Sequence, residues 1–368
     1  SRTEESSISS NEVTRITEDT RGRIWISTLG GGLNKFDSVN NNFTSFYTNA
    51  DINGSPLSNY ITTVFSDSQG TLWLGYKNSF SSFDPDTVTF YHYIGGKNGL
   101  PNLGVVNRFD EASDGTLWAA TQAGVIEIDP KTKRVSVHTL SAAESNGIAS
   151  KEISSLAIDD EDKVWLVSRD AGVRVINTKT GQSTHYYENP SVKGSISSNQ
   201  GYDVFIDYEG KVWVGTYDGL NLYKRQENTF VSFNKENSKL PSNSVISVYQ
   251  SREGKYWIGT YYGLIGGTRN LFQKIDSTNS HLSSNSINAF TETQDGSLWV
   301  GTDDGLNRLR DGENIFEWIN ESTYPNISRP DVMSLLSDGE YLWIGTFNGG
   351  LNRLNISTNE VTIFTHNS

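Results

Sequence analysis

The chain has no cysteine among its 368 residues. This absence excludes disulfides, thiol catalysis and cysteine-ligated zinc. Long apolar runs are also missing, since no stretch approaches the roughly 18 residues of a membrane-spanning helix. Lys and Arg number 30 against 43 Asp and Glu, which gives a net charge of −13. The sequence contains no Lys/Arg-rich run that could contact a phosphate backbone, so nucleic acid is not expected as a partner.

Residue patterns that would support catalysis are scarce. The sequence contains neither a Gly-x-Ser-x-Gly elbow nor a phosphate-binding Gly-x-x-x-x-Gly-Lys motif. The acidic run at residues 159–162 lacks the alternating ligands of a calcium loop and is interpreted as a solvated turn. We therefore predict no catalytic residue, no metal and no cofactor. The five histidines are expected on or beside outer strands, except for one in a linker: His92, His138, His185, His366 and, in the linker, His281.

One phrase recurs along the whole chain: Asp-x-x-Gly-x-Leu-Trp-x-Gly-Thr-x-x-Gly-Leu. Its clearest copies run from Asp295 to Leu306 and from Glu209 to Leu220. Successive tryptophans are 42 to 48 residues apart. A repeat of this length with several short strands is typical of a β-propeller. The tryptophans of the eight copies are Trp25, Trp73, Trp118, Trp165, Trp213, Trp257, Trp299 and Trp343.

A single repeat, Asn199 to Asn234, predicts four antiparallel strands. GYDVFID alternates apolar and polar residues and precedes the turn DYEG, where Asp207 accepts hydrogen bonds and Gly210 takes a positive φ. KVWVGT, LNLYKR and NTFVSF supply the second, third and fourth strands. Four strands in fewer than 40 residues make one propeller blade.

The repeats predict an all-β fold, a β-propeller of eight four-stranded blades. A seven-bladed ring with one extra repeat is the alternative. We expect one domain over residues 1–368. Because no leading F-x-x-Y strand precedes the first repeat, we expect blade one to meet blade eight by side-chain packing alone. The approximate repeats are 8–48, 57–94, 103–140, 149–187, 197–234, 241–276, 283–320 and 329–368.

The recurring residues have packing roles in this interpretation. Trp213 is expected to wedge between neighbouring blades, and Gly215 to allow close backbone approach. Repeats two to four depart from the phrase, with Val167 and Ser168 replacing Gly and Thr in repeat four. Two explanations stay open: drift at tolerant positions, or loops remodelled for a ligand near Lys77, Asn78, Arg169 and Asp170.

The repeated phrase, with continuations such as GGLNKFD (Gly31 to Asp37) and DGLNRLR (Asp304 to Arg310), resembles the two-component regulator propeller repeat. The linker LSSNSIN (Leu282 to Asn288) resembles the usual entry into each blade of that family. The resemblance implies the extracytoplasmic sensor region of a bacterial histidine kinase, hybrid two-component sensor or diguanylate cyclase. Many members are thought to sense oligosaccharides. The chain begins at Ser1 without Met, so we expect an excised or mature segment.

Candidate ligand-binding residues lie at the turn between the second and third strands of each blade. Sugars bind through aromatic ring faces together with planar hydrogen-bonding groups, and both kinds of side chain occur here. Inter-blade loops add Tyr60, Tyr202, Trp318 and Tyr324, with Asn59, Asn199, Gln200, Arg108 and Arg329. The candidate set is Tyr76, Lys77, Arg169, Asp170, Tyr217, Asp218, Tyr261, Tyr262, Asp303, Phe347 and Asn348.

We therefore expect a non-enzymatic, periplasmic sensor propeller of a membrane-anchored bacterial protein, which binds an oligosaccharide at the mouth of the ring and can pair as a homodimer. No membrane insertion is expected in this segment. One alternative is a protein-interaction platform without a small ligand. Another is a carbohydrate-active hydrolase or lyase that uses turn carboxylates such as Asp218, Asp303 and Asp304.

Overall fold

A computed structural model describes residues 2–5, 7–40, 42–49, 54–138, 152–251, 254–267, 273–275, 277, 280–311, 313, 315–319 and 327–366. Over these ranges the regular structure consists of strands, and no α-helix is present. Accordingly, no described residue belongs to a helix that could cross a membrane.

The strands form eight antiparallel sheets, the blades of a β-propeller, which confirms the eight-bladed prediction. Blades one and two contain β1 (Arg2–Glu5), β2 (Val13–Glu18), β3 (Ile24–Thr28), β4 (Gly32–Asp37), β5 (Asn42–Phe46), β6 (Thr63–Ser66), β7 (Leu72–Tyr76), β8 (Ser79–Asp84) and β9 (Thr89–Ile94). Blades three and four contain β10 (Val106–Glu111), β11 (Leu117–Thr121), β12 (Gly124–Asp129), β13 (Arg134–His138), β14 (Ile153–Ile158), β15 (Lys163–Ser168), β16 (Val173–Asn177) and β17 (Ser183–Tyr186).

Blades five to eight continue the same order. Blades five and six contain β18 (Gly201–Ile206), β19 (Val212–Thr216), β20 (Gly219–Lys224), β21 (Thr229–Phe233), β22 (Val245–Gln250), β23 (Tyr256–Thr260), β24 (Gly263–Gly267) and β25 (Gln273–Ile275). Blades seven and eight contain β26 (Ile287–Glu292), β27 (Leu298–Thr302), β28 (Gly305–Leu309), β29 (Glu317–Ile319), β30 (Val332–Ser337), β31 (Tyr341–Thr346), β32 (Gly350–Asn355) and β33 (Val361–Phe364).

The chain divides into two compact units. Unit 1 comprises Ser1–Val106, Ser277–Ser284 and Asn288–Ser368, and it holds blades one, two and eight and most of blade seven. Unit 2 comprises Asn107–Asp276 and Asn285–Ile287, and it holds blades four, five and six and most of blade three.

In five of the eight blades, the turn between the first and second strands is organised by an aspartate. In blade five, Asp207 accepts hydrogen bonds from the backbone N–H groups of Glu209 and Lys211, and Gly210 has φ +73° as predicted. The other carboxylate oxygen accepts the indole N–H of Trp213 at 2.8 Å. Because one carboxylate caps the turn and fixes the tryptophan, the two residues stay five or six positions apart. The same aspartate–tryptophan bond occurs in Asp19–Trp25, Asp67–Trp73, Asp159–Trp165 and Asp338–Trp343.

The tryptophans fill the seams, the boundaries between neighbouring blades, as the sequence predicted. Trp213 is 1 % exposed and packs against Val245, Val248 and Ile258 of the next blade. Burying such a ring contributes about 1.5–3 kcal/mol or more. Trp25, Trp118, Trp165, Trp299 and Trp343 lie in equivalent clusters with the blade that follows.

The small residue of the second strand faces the first strand of the next blade. A Cβ placed on Gly215 would lie 2.6 Å from the carbonyl oxygen of Val245, so only glycine fits there. In blade four the glycine and the valine are exchanged between these two facing positions. Its Val167 fills the seam, and the facing position in blade five is Gly201, where an added Cβ would collide with Val167. The departure at Val167 is thus a complementary packing exchange, and ligand binding is not needed to explain it.

Asparagines of the linker phrase tie each blade to the one before it. We call Asn11, Asn59, Asn199 and Asn243 the linker asparagines. Each accepts, through its side-chain oxygen, a backbone N–H that follows the fourth strand of the preceding blade. Asn11 accepts from His366 at 2.9 Å, and its carbonyl accepts the N–H of Gly350.

Within unit 1, blades one and eight therefore meet through hydrogen bonds as well as side-chain packing, so the expectation of packing alone was wrong. Trp343 contacts Phe36 with ring centroids 4.6 Å apart, and Gly345 faces Val13. A further strand, β1, was also not predicted. It pairs with β5 at the outer edge of blade one, which makes that sheet five-stranded.

The exchanged glycine–valine pair predicts strong coupling between the two positions. Gly201→Val alone should lower the free energy of unfolding by about 1–3 kcal/mol, because the new side chain overpacks against Val167. Val167→Gly alone should also destabilise, by removing buried apolar volume. The double variant should recover at least about 1 kcal/mol of the summed losses in denaturant unfolding. Simple additivity of the two losses would contradict this account of the seam.

Blade three lacks the turn aspartate and offers a test of its value. Ala112 stands at that position, and the buried indole N–H of Trp118 has no hydrogen-bond partner. Ala112→Asp should raise the free energy of unfolding by about 1 kcal/mol, because it adds the missing acceptor. Asp67→Ala in blade two, which removes the acceptor of Trp73, should lower it by about 1–3 kcal/mol. Thermal unfolding of both variants checks the opposite signs.

Candidate functional site

The turns between second and third strands leave most of their central side chains exposed to solvent. In blade five, the Thr216 hydroxyl donates to the carbonyl of Gly219 at 3.0 Å and accepts the N–H of Asp218. Gly219 has φ +130°, which favours glycine. Because threonine and glycine hold the turn, Tyr217 is not needed for packing and is 56 % exposed. In blade six, Tyr261 and Tyr262 are 49 % and 70 % exposed.

Two of these turn side chains, on blades four and six, converge within unit 2 on Tyr202, which lies in the first strand of blade five and not in an inter-blade loop as expected. The Arg169 guanidinium lies over the Tyr202 ring, 5.0 Å from its centroid. Tyr202 also meets Tyr261 edge to face, with centroids 6.1 Å apart and an interplanar angle of 82°. We call Arg169, Tyr202 and Tyr261 the arginine–tyrosine patch. Two rings at right angles beside a planar donor can hold a flat, hydroxylated ligand.

The electrostatics of the patch are set by its own members. Partial burial and the neighbouring Tyr261 and Tyr217 hydroxyls raise the pKa of Tyr202, against the lowering effect of Arg169. Tyr202 is therefore a neutral hydroxyl near pH 7, able to donate or accept. Asp170 is exposed on the same turn as Arg169. Asp218 is exposed on the neighbouring turn and accepts a hydrogen bond from Asn243 at 2.8 Å.

Candidates in unit 1 lie on the corresponding turns of other blades. Phe347 is 48 % exposed, and Asn348 is exposed with φ +58°. Asp303 accepts a hydrogen bond from Asn288 at 2.8 Å. Lys77 is exposed beside a bridge to Val105. These side chains are accessible, but they occupy three different blades.

Tyr76 does not fit the candidate set. It is 1 % exposed and belongs to the core cluster that contains Trp25. Burial raises the pKa of its hydroxyl well above the ordinary value. Tyr76 ends β7 at the position that threonine takes in other blades, where the side chain points inward. It is therefore a core residue and presents no ring to a ligand. Tyr324, named with the loop aromatics, lies outside the described residues.

Histidines and carboxylates occupy structural positions. His92 contacts the Ser81 hydroxyl, His138 the Glu127 carboxylate and His185 the Ala171 carbonyl. Within residues 159–162, Asp159 is buried and accepts the indole N–H of Trp165. The expectation of a solvated turn is therefore only partly met. Across the described part of the chain, no group of three or more His, Asp or Glu is placed to hold a metal ion.

Sequence reasoning missed a polar chain across the first strands of unit 2. Arg108 lies 3.5 Å from the Asp203 carboxylate and donates to the Ser155 hydroxyl at 3.1 Å. Ser155 in turn donates to Asp203 at 2.9 Å, and the N–H of Val248 donates to the other oxygen. The available signal was a charged residue in the middle of the apolar pattern GYDVFID.

This polar chain predicts a pH effect. Desolvation raises the pKa of Asp203 above its ordinary value of 3.8, although Arg108 and Ser155 act in the opposite direction. The stabilisation from this group is complete below pH 3.8 and is lost as the pH rises through the folded-state pKa. Asp203→Asn should therefore gain stability relative to the parent as pH rises from about 4 to about 8, by on the order of 1 kcal/mol.

Urea unfolding across that pH range checks the prediction. Asp218→Asn, at an exposed carboxylate of the same blade, is the matched control and should show a much smaller trend with pH. If the difference between Asp203→Asn and the parent did not change with pH, desolvation would not govern this carboxylate.

The repeats and the eight sheets define the class of protein, an eight-bladed β-propeller. Residues 7–30, 55–78, 239–262 and 281–304 match the family model described as Two component regulator propeller. The resemblance seen in the sequence is thus confirmed: this chain carries two-component regulator propeller repeats. No curated protein gives a significant sequence match.

Several solved structures are similar to this chain at low sequence identity. The extracellular domain assigned to a hybrid two component system of B. thetaiotaomicron is 16 % identical, with TM-score 0.48 and coverage of 96 % of this chain and 55 % of that one. The chain thus spans about half the length of that domain. Virginiamycin B lyase from Staphylococcus aureus is 13 % identical, with TM-score 0.58 and coverages of 96 % and 98 %. The computationally designed Ika8 protein is 13 % identical, with TM-score 0.69 and coverages of 96 % and 100 %.

Proposed function

We propose that this chain is the ligand-binding sensor propeller of a bacterial membrane-anchored signalling protein and that it recognises an oligosaccharide. The observation that carries the proposal is the arginine–tyrosine patch, with Arg169 stacked on Tyr202 and Tyr202 set edge to face with Tyr261. The match to two-component regulator propeller repeats supports the signalling role.

The patch has the chemistry that a sugar requires. Apolar C–H faces of a pyranose stack on exposed rings, and Tyr217 and Tyr261 offer such rings on adjacent blades. Arg169 supplies planar donors to hydroxyl oxygens, while Asp170 and Asp218 supply acceptors for hydroxyl protons. Because each turn backbone is held by a hydroxyl group and a glycine (Ser168 in blade four, Thr216 in blade five and Thr260 in blade six), the site is preformed, which reduces the entropy cost of binding.

The remaining parts of the proposal concern the whole protein. We place the propeller outside the cytoplasm, in the periplasm, as a non-enzymatic segment whose output domain lies elsewhere in the signalling protein. Paired propellers in a homodimer would transmit the signal through a change in their contact. The likeness to virginiamycin B lyase concerns the fold, and no lyase or hydrolase activity is inferred from it.

A thermal-shift screen of this chain against plant, algal and bacterial oligosaccharides tests the proposal. A ligand at 100 times its Kd should add about 2.7 kcal/mol of stability, because it binds only the folded state. For the ligand found, Tyr261→Ala and Tyr202→Ala should each weaken binding about 3- to 12-fold through loss of a ring contact.

Tyr208→Ala is the matched control for these two variants. Tyr208 is 67 % exposed, yet it lies at the turn after β18, at the other end of blade five. Its substitution should leave the affinity unchanged. A screen without any shift would favour the interaction-platform alternative, and retention of affinity in both patch variants would place the ligand elsewhere.

A further inference from the structure

A groove of about 640 Å³ lies within unit 1, at the seam between blades one and eight. It is formed near the turns that join first and second strands, whereas Phe347 lies at the other end of blade eight, after β31. Its volume is in the range of small-molecule sites. Residues that matter for its chemistry are Glu18, Phe36, Glu340, Tyr341 and Arg353.

Arg353 is surrounded by aromatic rings. Its guanidinium carbon lies 4.5 Å from the ring centroid of Tyr341 and 5.0 Å from that of Phe36. The rings of Trp343 and Phe364 are each 5.7 Å away. The Nε atom is buried and has no hydrogen-bond partner. Packing against four rings holds the guanidinium in one orientation and removes much of its hydration.

Blade seven contains an arginine at the equivalent position, and this one has an ion-pair partner. Arg308 pairs across the sheet with Trp299 as Arg353 pairs with Trp343, and it lies over that ring at 5.0 Å. However, Arg308 donates to the Asp295 carboxylate at 2.6 Å and to the Ser297 hydroxyl at 3.1 Å. Hydrogen bonds and the Arg308 charge overcome desolvation and hold the pKa of Asp295 at about 2.

Blade eight lacks this counter-charge. Its turn has one aspartate, Asp338, whose two oxygens already accept the N–H of Tyr341 and the indole N–H of Trp343. Over the described ranges, no ion pair or hydrogen bond is formed by the Arg353 guanidinium. A carboxylate that met Arg353 would complete the arrangement found in blade seven. Planar carboxylates suit the guanidinium, since they accept two parallel N–H bonds.

The other charges of the groove indicate the rest of the ligand. Lys35, at the same position of blade one, faces Trp25 across the sheet and therefore lies on the side of that blade that packs against blade two. Arg21 and Arg23 are already bound to Asp86. Glu18 and Glu340 line the groove and can accept hydrogen bonds from hydroxyl groups.

We propose that this groove binds a sugar acid, or another small hydroxylated carboxylate. The ligand's carboxylate meets Arg353, and its hydroxyl groups donate to Glu18 and Glu340. This site is independent of the arginine–tyrosine patch, because it lies on different blades and at the other end of the strands.

Glucuronate is the probe, with glucuronamide as a neutral analogue of the same shape. Because Trp343 contacts Arg353, titration is followed by tryptophan fluorescence and by calorimetry. Glucuronate should bind the unmodified protein with a Kd of about 1 mM or tighter, and glucuronamide at least about tenfold more weakly. This comparison needs no variant and therefore does not depend on the folding of one.

Arg353→Met keeps the packed stem but removes the charge, and it should weaken glucuronate binding at least about tenfold. Arg308→Met is the matched control, since its arginine is already paired with Asp295, and it should leave the affinity unchanged. Equal binding of glucuronate and glucuronamide would overturn the proposal. So would the absence of any binding at about 10 mM, or an undiminished affinity in a folded Arg353→Met.

Discussion

The bond between the turn aspartate and the seam tryptophan is the interaction on which five of the eight blades depend. Asp207 shows the arrangement, since one oxygen caps the turn and the other fixes the indole of Trp213. The buried Tyr256 hydroxyl of blade six also donates to it at 2.6 Å. A single carboxylate therefore joins the turn, the ring and the next blade. Its replacement in blade three leaves the Trp118 N–H unsatisfied in the core.

This arrangement divides each blade into two ends with different freedom. At one end, the turn aspartate is committed to the core through its bonds to the turn backbone and to the tryptophan. At the other end, the Thr216 hydroxyl and Gly219 hold the turn, and Tyr217 is left exposed. Because the threonine and the glycine hold the turn, its central side chains can vary without loss of the blade. Arg169 and Tyr261 of the arginine–tyrosine patch occupy such positions, whereas Tyr202 lies in β18.

Local patterns predicted the repeats, the strand limits of blade five, the wedge role of Trp213 and the close approach at Gly215. Features that depend on two distant residues were not predictable in the same way. Val167 was one of several departures in repeats two to four, and its compensation was not visible because its partner Gly201 belongs to another repeat. The bond between Asn11 and His366 joins opposite ends of the chain. Tyr76 could have been placed in the core, since it stands where buried threonines occur in other copies.

The position opposite the seam tryptophan shows how one scaffold gives different local chemistry. Blade five places Leu222 there and remains apolar. Blade three places Glu127, which pairs with His138 of its own sheet. Blade seven pairs Arg308 with its turn aspartate, whereas the shorter turn of blade eight leaves Arg353 without one. A desolvated charge without a partner costs free energy. The carboxylate of a bound ligand removes that cost at blade eight alone. The selectivity of the groove for a carboxylate ligand therefore follows from the absence of one turn residue.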